Sequence, residues 1–458
     1  MAQVGLRSMG WDQETPRWLF TTTEVVSFPA IMKTHPMAIV ARALPVIVAV
    51  ALIPGDDWRQ ESRPASSGPC PVEITSMPNR IERLAGATDA GAPDSDGDGL
   101  SDGDERFLLD AYRPFLRFSR DYVDGDLTDE PYSPTDALWF IQQSELLASR
   151  DEDGLPHITH ADLAANPSSL LFDASSVVSS PGLSRYHLNP VENVPGDRRS
   201  HPARHGADWA EVLTRRNVGL YGHVVPYRET SARLDPSRLY YKVEYWQFFG
   251  YSHANAALDF GDHEGDWASV QVIYDRLAQR AVSVLHYAHG IEFRFDIAAA
   301  TGCHAAESDV LELRGRYDPA LNLVNRLWLP REDQIARAQN NVVRMYRDPT
   351  TAAFTHPVVY VEHGSHEFFP TEFWNYYAAP KHAGDSRFRY LAESPPNLGE
   401  VEQPMTEAPG AAFIVRFNGS WGSFGRQNNP PQGPPLHENW SWPVSSSVRW
   451  RIPGPLGF

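Results

Sequence analysis

From Leu239 onward, apolar and polar residues alternate with a period of two in six short runs. The runs are LYYKVEYWQFF, ASVQVIY, RAVSVLHYA, IEFRFDI, HPVVYVEHG and AAFIVRF, and they are rich in β-branched and aromatic residues. Such alternation gives a sheet one apolar face, so each run predicts a strand. No regular alternation of strand with long helix accompanies them. The pattern therefore predicts a mainly β fold, an antiparallel β-sandwich with peripheral helices and long loops.

Helical spacing occurs in three other segments. A short helix is predicted from Glu105 to the residue before Pro114, because apolar side chains recur there three and four positions apart. A second is predicted after Ser133, which would cap it, with Pro134 in its first turn. Its apolar side consists of Ala137, Leu138, Ile141 and Leu146. A third is predicted at 331–346, whereas the polar, Pro-rich and His-rich stretch 150–238 predicts long loops with scattered short elements.

Residues 32–54 carry the features of an export signal. Lys33 and Arg42 precede a short apolar run, and Ala49 and Ala51 form the A-x-A arrangement that a signal peptidase reads. A membrane anchor is disfavoured, because a span needs about 18 or more apolar residues and this run is shorter. We therefore expect a secreted, periplasmic or extracellular protein whose mature form has no transmembrane span.

The chain divides into four segments on this interpretation. Residues 1–51 are expected to be an over-extended start plus the signal peptide, and residues 52–93, rich in Pro, Ser, Gly and Ala, a linker. Residues 94–105 are expected to form a calcium-binding loop, and residues 106–458 the β-sandwich domain.

The composition makes the chain acidic. Its 458 residues carry a formal net charge of -18. Nucleic-acid binding depends on clustered Lys and Arg, so we expect no nucleic-acid partner, and the acidity favours cations instead. The two cysteines, Cys70 and Cys303, either form one disulfide after export or remain two thiols, and only the fold can decide between these.

The segment DSDGDGLSDGDE has the register of an EF-hand calcium loop. Its predicted ligands occupy the metal-binding positions of that loop and are Asp94, Asp96, Asp98, Leu100, Asp102 and Glu105. Gly99 permits the sharp turn, Leu100 offers its backbone carbonyl, and Glu105 closes the cage with both carboxylate oxygens. The segment also resembles a thrombospondin type 3 repeat, a calcium unit common in exported proteins. We predict Ca2+ at this loop.

A second acidic cluster, GDHEGDW at 261–267, is predicted in a turn between a strand that ends near Tyr251 and one that begins at Trp267. Its candidate ligands are Asp262, His263, Glu264 and Asp266. Carboxylates this close need a cation, a basic residue or protonation to offset their repulsion, and no Lys or Arg occurs between Lys242 and Arg276. We predict a second divalent cation there, Ca2+, Mg2+, Mn2+ or Zn2+. Further possible ligands, if strand-end loops crowd together, are His286, His289 and His366.

The order of several motifs resembles the vacuolar protein sorting 62 family. The motifs YWQFFGYS, GDHEGDWASVQVIYD, LHYAHG, HPVVYVEHGSHEFFP, FNGSWG and GPPLHENW follow one another as in that family, and LLDAYRPFLRFS fits its opening segment. The likeness covers most of residues 106–458. Because the function of that family is poorly defined, the resemblance implies a domain and no particular activity.

GDHEGDW also resembles the GHRHDWE heptapeptide of the necrosis-inducing (NLP) toxins, in which His, Asp and Glu hold a divalent cation on a β-sandwich. By that likeness His263 and Asp266 match ligands, whereas Ala268 stands where the toxins have Glu. Asn255 lies where the toxins place an upstream Asp. Asp262 or Glu264 would then have to supply the missing charge.

Two function hypotheses from different classes follow. The first is an exported divalent-cation-binding protein, a binding module or effector whose acidic loop anchors a surface glycan, a lipid headgroup or a protein receptor through the metal. The second is a metal-assisted hydrolase of a phosphoester or glycan, with metal-bound water as nucleophile and His263 or His366 as general base. The toxin resemblance favours the first hypothesis, which we take as the expected function, and the histidines near the cluster favour the second.

Overall fold

The computed structural model describes segments of the chain that begin at residue 94. The described residues are 94, 99–118, 132–148, 156–167, 186–191, 206–228, 234–252, 263–288, 291–315, 317–318, 342–362, 364, 366–371, 373–376, 379–382, 388–398, 414, 417, 419–422 and 433–434. All of them belong to the compact unit Arg63–Phe458. Strand residues outnumber helical residues in this part by 48% to 18%, which confirms the mainly β fold.

The helices are short and the strands carry the architecture. The described helices are α1 (Asp102–Tyr112), α2 (Ala137–Gln142), α3 (His160–Ala165), α4 (Trp209–Arg215) and the 3-10 helix Ile297–Ala299. The described strands are β1 (Phe115–Phe118), β2 (Ser144–Ala148), β3 (Tyr186–Pro190), β4 (Leu220–Tyr227), β5 (Tyr240–Ser252), β6 (His263–Asp275), β7 (Arg280–Ala288), β8 (Ile291–Asp296), β9 (Gly302–Ala305), β10 (Val310–Arg314), β11 (Tyr317–Asp318), β12 (Val342–Arg347), β13 (Phe354–Val361), β14 (Phe368–Phe369), β15 (Phe373–Tyr376), β16 (Ala379–His382) and β17 (Arg389–Leu391).

Most of the described strands form two sheets. The six-stranded sheet has the order β11-β8-β7-β6-β5-β4, with antiparallel neighbours throughout. The seven-stranded sheet has the order β17-β1-β13-β12-β10-β9, with β14 paired to β13. Its neighbours are antiparallel except β1 and β13, which run parallel. Strands β2 and β3, and strands β15 and β16, form two small antiparallel sheets.

The two large sheets contribute to one shared apolar core. Phe118 of β1 and Phe249 of β5 lie in it with their ring centroids 6.4 Å apart. Leu108 and Leu109 of α1 are fully buried in the same cluster, so this helix closes part of the core. Burying each such side chain contributes about 1.5–3 kcal/mol. The arrangement is the β-sandwich with peripheral helices that the sequence pattern predicts.

A second, aromatic cluster lies on the opposite face of β5 and β6. Trp246, Phe248 and Trp267 point to this face because they alternate with core residues such as Phe249. Trp421 packs against them, with its ring centroid 5.3 Å from that of Trp267. Both faces of these two strands are therefore buried at this end of the sheet.

Five of the six predicted strands are confirmed, as β5, β6, β7, β8 and β13. Of the sixth, AAFIVRF, only Ile414 and Phe417 are described. Both are buried in the aromatic cluster, and neither is part of a strand. Period-two alternation therefore predicts a strand correctly where the run has a neighbouring strand on each side in the sheet.

The structure confirms only part of the helix predictions. Helix α1 is confirmed, although it begins at Asp102 with Ser101 as its cap and so crosses the predicted boundary between residues 105 and 106. The cap of α2 is Asp136, whose carboxylate accepts a 2.9 Å hydrogen bond from the backbone N–H of Trp139, and not Ser133. Leu146 was placed wrongly in this helix, because it lies in β2 opposite Leu188 of β3.

The prediction of a helix at 331–346 is wrong for its last five residues, which lie in β12. Val342 and Val343 pair there with β10, and Met345 pairs with both β10 and β13. β-Branched residues fit such a pleated surface better than a helix, and the two neighbouring strands decide the outcome. Residues 331–341 lie outside the described residues.

The stretch 150–238 contains the scattered short elements that its pattern predicts, and one longer strand. It supplies β3, α3, α4 and the eight-residue edge strand β4 of the six-stranded sheet. Thr159 caps α3, so residues 160–165 of this stretch are helical. Edge pairing with β5 explains why β4 forms although Gly222 and Pro226 interrupt its apolar pattern.

The N-terminal predictions fall outside the described residues. These are the signal peptide, the over-extended start and the linker, together with Cys70. Cys303 lies half-buried in β9 as a free thiol. Within the described segments, no helix combines the length and the apolarity that crossing a membrane requires.

Candidate functional site

The described part of the acidic cluster, 263–267, lies in a strand and not in the predicted turn. β6 begins at His263 and not at Trp267, and its register pairs Ser252 with His263, Tyr251 with Glu264 and Phe249 with Asp266. Side chains two positions apart in a strand share a face, whereas neighbours point to opposite faces. Gly265, whose φ is +65°, interrupts this alternation in β6. Phe249, opposite Asp266, packs in the main core, whereas Tyr251, opposite Glu264, packs in the aromatic cluster, so the two carboxylates do not share a face.

Glycine fixes the start of this strand. Gly265 has a φ of +65°, and a Cβ there would overlap the backbone carbonyl oxygen of Trp421. Gly422 has the reciprocal relation, since a Cβ there would overlap the carbonyl oxygen of Glu264. The backbones at 264–265 and 421–422 thus lie in contact, and only residues without a side chain allow it. This contact sets the position of the carboxylates on either side of Gly265.

Asp266 meets a histidine from the other sheet. Nδ1 of His366 lies 3.3 Å from Oδ2 of Asp266. The imidazole stacks flat on the ring of Phe249, at 3.9 Å between centroids and an interplanar angle of 4°, and the ring of Tyr132 meets it edge-on at 6.2 Å. The side chain of His366 is fully buried and that of Asp266 is 17% exposed. The pair is a carboxylate that orients an imidazole, an arrangement used both in metal sites and in general acid–base catalysis.

A tight turn presents His366 to this position. The turn joins β13 to β14, and within it the N–H of Glu362 donates a 2.9 Å hydrogen bond to the carbonyl of Glu367. Gly364 and His366 both have positive φ, +75° and +56°. A left-handed histidine costs of order 1 kcal/mol or more, and such conformations cluster at functional sites. The motif HPVVYVEHGSHEFFP contains this histidine, but only the turn brings it to Asp266.

The other residues of the predicted cluster have different partners. Nδ1 of His263 donates a 2.7 Å hydrogen bond to the carbonyl oxygen of Gly265. The Glu264 carboxylate lies near His187 of β3, where burial lowers the pKa of the imidazole and the carboxylate opposes that shift. His187 is fully buried and was not among the predicted ligands. The structure therefore brings Asp266 together with His366, and Glu264 together with His187.

His286 lies apart from these pairs. It is fully buried on β7, on the face turned to the other sheet, and burial lowers its pKa to about 4, an effect that the backbone of Val358 partly offsets. A neutral imidazole buried among apolar neighbours is a packing residue. Asn255, Asp262 and His289 lie outside the described residues. Among those that are described, no group of three or more His, Cys, Asp or Glu side chains is arranged to hold a metal ion.

The predicted calcium loop is described at both of its ends. The backbone N–H of Gly99 donates a 3.1 Å hydrogen bond to Oδ2 of Asp94, and Gly99 has a φ of +93°. The side chain of Leu100 is 2% exposed and belongs to the main core. Ser101 then caps α1, whose first turn contains Asp102 and Glu105. This is the sharp glycine turn followed by a helix that the register requires, and Asp96 and Asp98 lie outside the described part.

The Glu105 side chain is bound by a residue 292 positions later in the sequence. Its side chain is 1% exposed, and Oε2 accepts a 2.8 Å hydrogen bond from Nδ2 of Asn397. Asn397 lies in a segment that extends the six-stranded sheet beyond edge strand β4, because the N–H of Gly222 donates to Pro396 and the N–H of Leu398 donates to Gly222. Sequence reasoning missed Asn397, since nothing local marks it. The loop is thereby tied to the sheet.

A further polar cluster on β4 and β5 was also missed. The Glu244 carboxylate is fully buried, and its Oε2 accepts hydrogen bonds from Nδ1 of His223 and Nε1 of Trp246, each at 3.2 Å. Nζ of Lys242 lies 3.6 Å from Oε1. The alternation Lys242, Glu244, Trp246 within LYYKVEYWQFF was the available signal, because it puts all three on one face. These groups satisfy one another, so the cluster is a structural network.

Comparison of the chain with protein-family models, with curated proteins and with solved structures gives no match. The resemblances to the vacuolar protein sorting 62 family, to thrombospondin type 3 repeats and to the NLP toxins therefore stay hypotheses that rest on motifs alone.

Proposed function

We propose that this chain is an exported calcium-binding β-sandwich protein that acts as a binding module or effector on a surface glycan, lipid headgroup or receptor. The loop at 94–105 binds Ca2+ and fixes α1 against the sheets. Its ligands are the carboxylates of Asp94, Asp96, Asp98, Asp102 and Glu105 and the carbonyl of Leu100.

The burial of Glu105 is the observation that carries this proposal. A carboxylate out of contact with water is stable only when it is paired or coordinated. Asn397 donates a hydrogen bond to Oε2 and so holds this carboxylate at the last ligand position of the loop. We expect Ca2+ in the loop to be coordinated by it. An alternative stabilisation comes from the N-terminus of α1, whose dipole favours acidic residues in the first turn, but that effect is worth only about 0.3–1 kcal/mol.

Calcium binding is tested by isothermal titration of the full chain. Wild-type protein is expected to bind Ca2+ with heat release or uptake that Glu105→Ala abolishes at this site. The matched control is Glu211→Ala, because Glu211 is an exposed helical glutamate whose partner is Arg215. Equal calcium stoichiometry in wild type and Glu105→Ala overturns the assignment.

Export is the second part of the proposal and rests on the sequence of residues 32–54. N-terminal sequencing of protein recovered from the medium or periplasm of a bacterial host is expected to give a start near Leu52. Recovery of an intact Met1 outside the cytoplasm contradicts it.

A metal-assisted hydrolase is the second candidate function, and the Asp266–His366 pair favours it. A second divalent cation, Ca2+, Mg2+, Mn2+ or Zn2+, would take these two side chains as ligands, with Asp262 or water completing its shell. Alternatively the carboxylate orients His366 as a general base. The full burial of His366 argues against direct contact with a large substrate, so the binding function is preferred.

A substrate screen separates the two functions. Purified protein is assayed against phosphoester and glycoside substrates with each candidate metal, and Asp266→Asn serves as the inactive control. Turnover that depends on Asp266 establishes the hydrolase, whereas no turnover with intact calcium binding supports the binding function.

A further inference from the structure

Residues 388–398, which we call the strap, connect the two large sheets. At the start of the strap, the carbonyl of Phe388 accepts a 3.0 Å hydrogen bond from the N–H of Phe118, and β17 pairs with β1 in the seven-stranded sheet. At its end, the N–H of Leu398 donates a 2.6 Å hydrogen bond to the carbonyl of Gly222 in β4, the edge strand of the six-stranded sheet. One short segment therefore holds strands of both sheets.

The middle of the strap contacts the ends of two helices. The N–H of Ala392 donates a 3.0 Å hydrogen bond to the carbonyl of Pro114, which lies between α1 and β1. The N–H of Glu393 donates a 3.2 Å hydrogen bond to the carbonyl of Arg216, the C-terminal cap of α4. The strap is thus placed beside the C-terminal end of α1.

The strap also contacts the first turn of α1, which belongs to the calcium loop. Asn397 is 6% exposed, and its side-chain amide donates the 2.8 Å hydrogen bond to Glu105. Gly222 lies between the helix and the strap, because a Cβ there would overlap the side chain of Leu109 and lie 3.0 Å from Cγ of Pro395. Helix α1, β4 and the strap are therefore packed too closely for a shift of one to leave the others unchanged.

The segment of the strap before Asn397 is the part best suited to open. Glu393 and Ser394 are exposed to solvent. Pro395 and Pro396 have no backbone N–H, so they donate no hydrogen bonds to a neighbouring strand. Segments with solvent-exposed backbone and few buried contacts open locally at a lower free-energy cost than core strands. A contact that fixes Asn397 therefore has a larger effect on the strap than it would have inside a core strand.

The end of the strap covers part of a sheet edge. The N–H of Gly222 donates a 2.8 Å hydrogen bond to the carbonyl of Pro396, and its carbonyl accepts from Leu398. An uncovered edge strand offers free backbone groups to any other strand. The position of the strap therefore decides whether the backbone of β4 at Gly222 is covered.

We propose that the strap is a calcium-controlled device: Ca2+ bound at 94–105 fixes Glu105, and Glu105 fixes the end of the strap on β4 through Asn397. This inference rests on the proposed calcium binding and adds its structural consequence. Coupling between two sites is reciprocal, so a contact that raises calcium affinity about tenfold is itself strengthened about tenfold by calcium. Calcium closes the strap over the β4 edge and joins the two sheets there, and its removal lets the strap open more often.

Amide hydrogen exchange of the full chain, with calcium and with chelator, tests the proposal. The reporters are the N–H groups of Gly222 and Leu398, whose hydrogen bonds join the strap to β4. Calcium is expected to slow their exchange about tenfold. The control is the N–H of Leu146, which donates a 2.9 Å hydrogen bond to the carbonyl of Ile158 and likewise joins a strand to a neighbouring segment. Its exchange is expected to be the same in both conditions.

Two asparagine variants form a matched pair. Asn189 also donates its side-chain amide to a glutamate, since its Nδ2 lies 3.3 Å from Oε1 of Glu145. At saturating calcium, Asn397→Ala is expected to lose the tenfold slowing at Gly222 and Leu398. Asn189→Ala is expected to retain it.

Isothermal titration of the same samples separates the strap proposal from calcium binding itself. Calcium binding with unchanged exchange at Gly222 and Leu398 overturns the strap proposal and leaves the calcium loop intact, whereas absence of calcium binding overturns both. Equal slowing at Leu146 means that calcium stabilises the whole fold, and it overturns the strap proposal, as does undiminished slowing in Asn397→Ala. The wild-type comparison needs no variant, so it decides the proposal even where Asn397→Ala does not fold.

Discussion

The side-chain amide of Asn397 donates a hydrogen bond to the Glu105 carboxylate across 292 residues of sequence. The predicted last ligand of the calcium loop is thereby oriented by a residue of the strand segment beside β4. A hydrogen bond to a metal ligand fixes its orientation, and removing such a partner commonly lowers metal affinity about 10- to 100-fold.

We therefore expect Asn397→Ala to weaken calcium binding by about 10-fold or more without changing the stoichiometry. Glu105→Gln, which keeps the shape and removes the charge, is expected to abolish the calcium-induced rise in melting temperature. Differential scanning calorimetry with calcium and with chelator measures both effects. An unchanged calcium affinity in Asn397→Ala would restrict Asn397 to a role in the sheet.

Substitution of Asp266 tests the second cation. In a Glu105→Gln background, Asp266→Asn is expected to reduce the bound metal by one equivalent and to remove the remaining effect of chelator on melting, because binding to the folded state stabilises it by mass action. Metal analysis and thermal melts give the readout. Asp110→Asn, at an exposed site on α1, is the control. If metal content and chelator response are both unchanged by Asp266→Asn, the Asp266–His366 pair is structural.

Gly265→Ala is expected to destabilise the fold by about 3 kcal/mol or more, since the new Cβ meets the backbone of Trp421 and cannot be accommodated by a rotamer change. Gly99→Ala is the comparison, because its φ is also positive but no atom lies within 4 Å of the added Cβ. Its expected cost is about 1–2 kcal/mol. Urea unfolding in the presence of chelator measures both. Similar costs for the two variants would mean that 264–265 and 421–422 are not in rigid contact.

The buried neutral His286 predicts a loss of stability in acid. Its pKa is about 4 in the folded protein, against an ordinary value of 6.5 for histidine, so the unfolded chain binds the proton more readily. The contribution is complete above pH 6.5 and is lost as the pH falls toward 4, by up to about 3 kcal/mol. We expect His286→Leu to flatten the fall in melting temperature between these pH values, and His157→Gln, at an exposed position, to leave it unchanged. Parallel profiles for wild type and His286→Leu would contradict this origin.

The sequence by itself determined those elements whose signal is local. Strands β5 to β8 and β13 follow from period-two alternation, because one side of each run must be buried for the sheet to be stable. Helix α1 follows from apolar spacing between the Ser101 cap and Pro114, and the glycine turn before it follows from the loop register. In each case neighbours along the chain carry the information.

Only the tertiary structure decided where the acidic cluster sits and what it meets. β6 begins at His263 because β5 offers it a partner as far as Ser252, so pairing and not local propensity places Glu264 and Asp266 in a strand. Residues 342–346 are a strand for the same reason, since β10 and β13 flank them. The contacts of Asp266 with His366 and of Glu105 with Asn397 join residues 100 and 292 positions apart. Contacts of that range leave no periodic trace in the sequence, because they arise when separate strands and turns pack together.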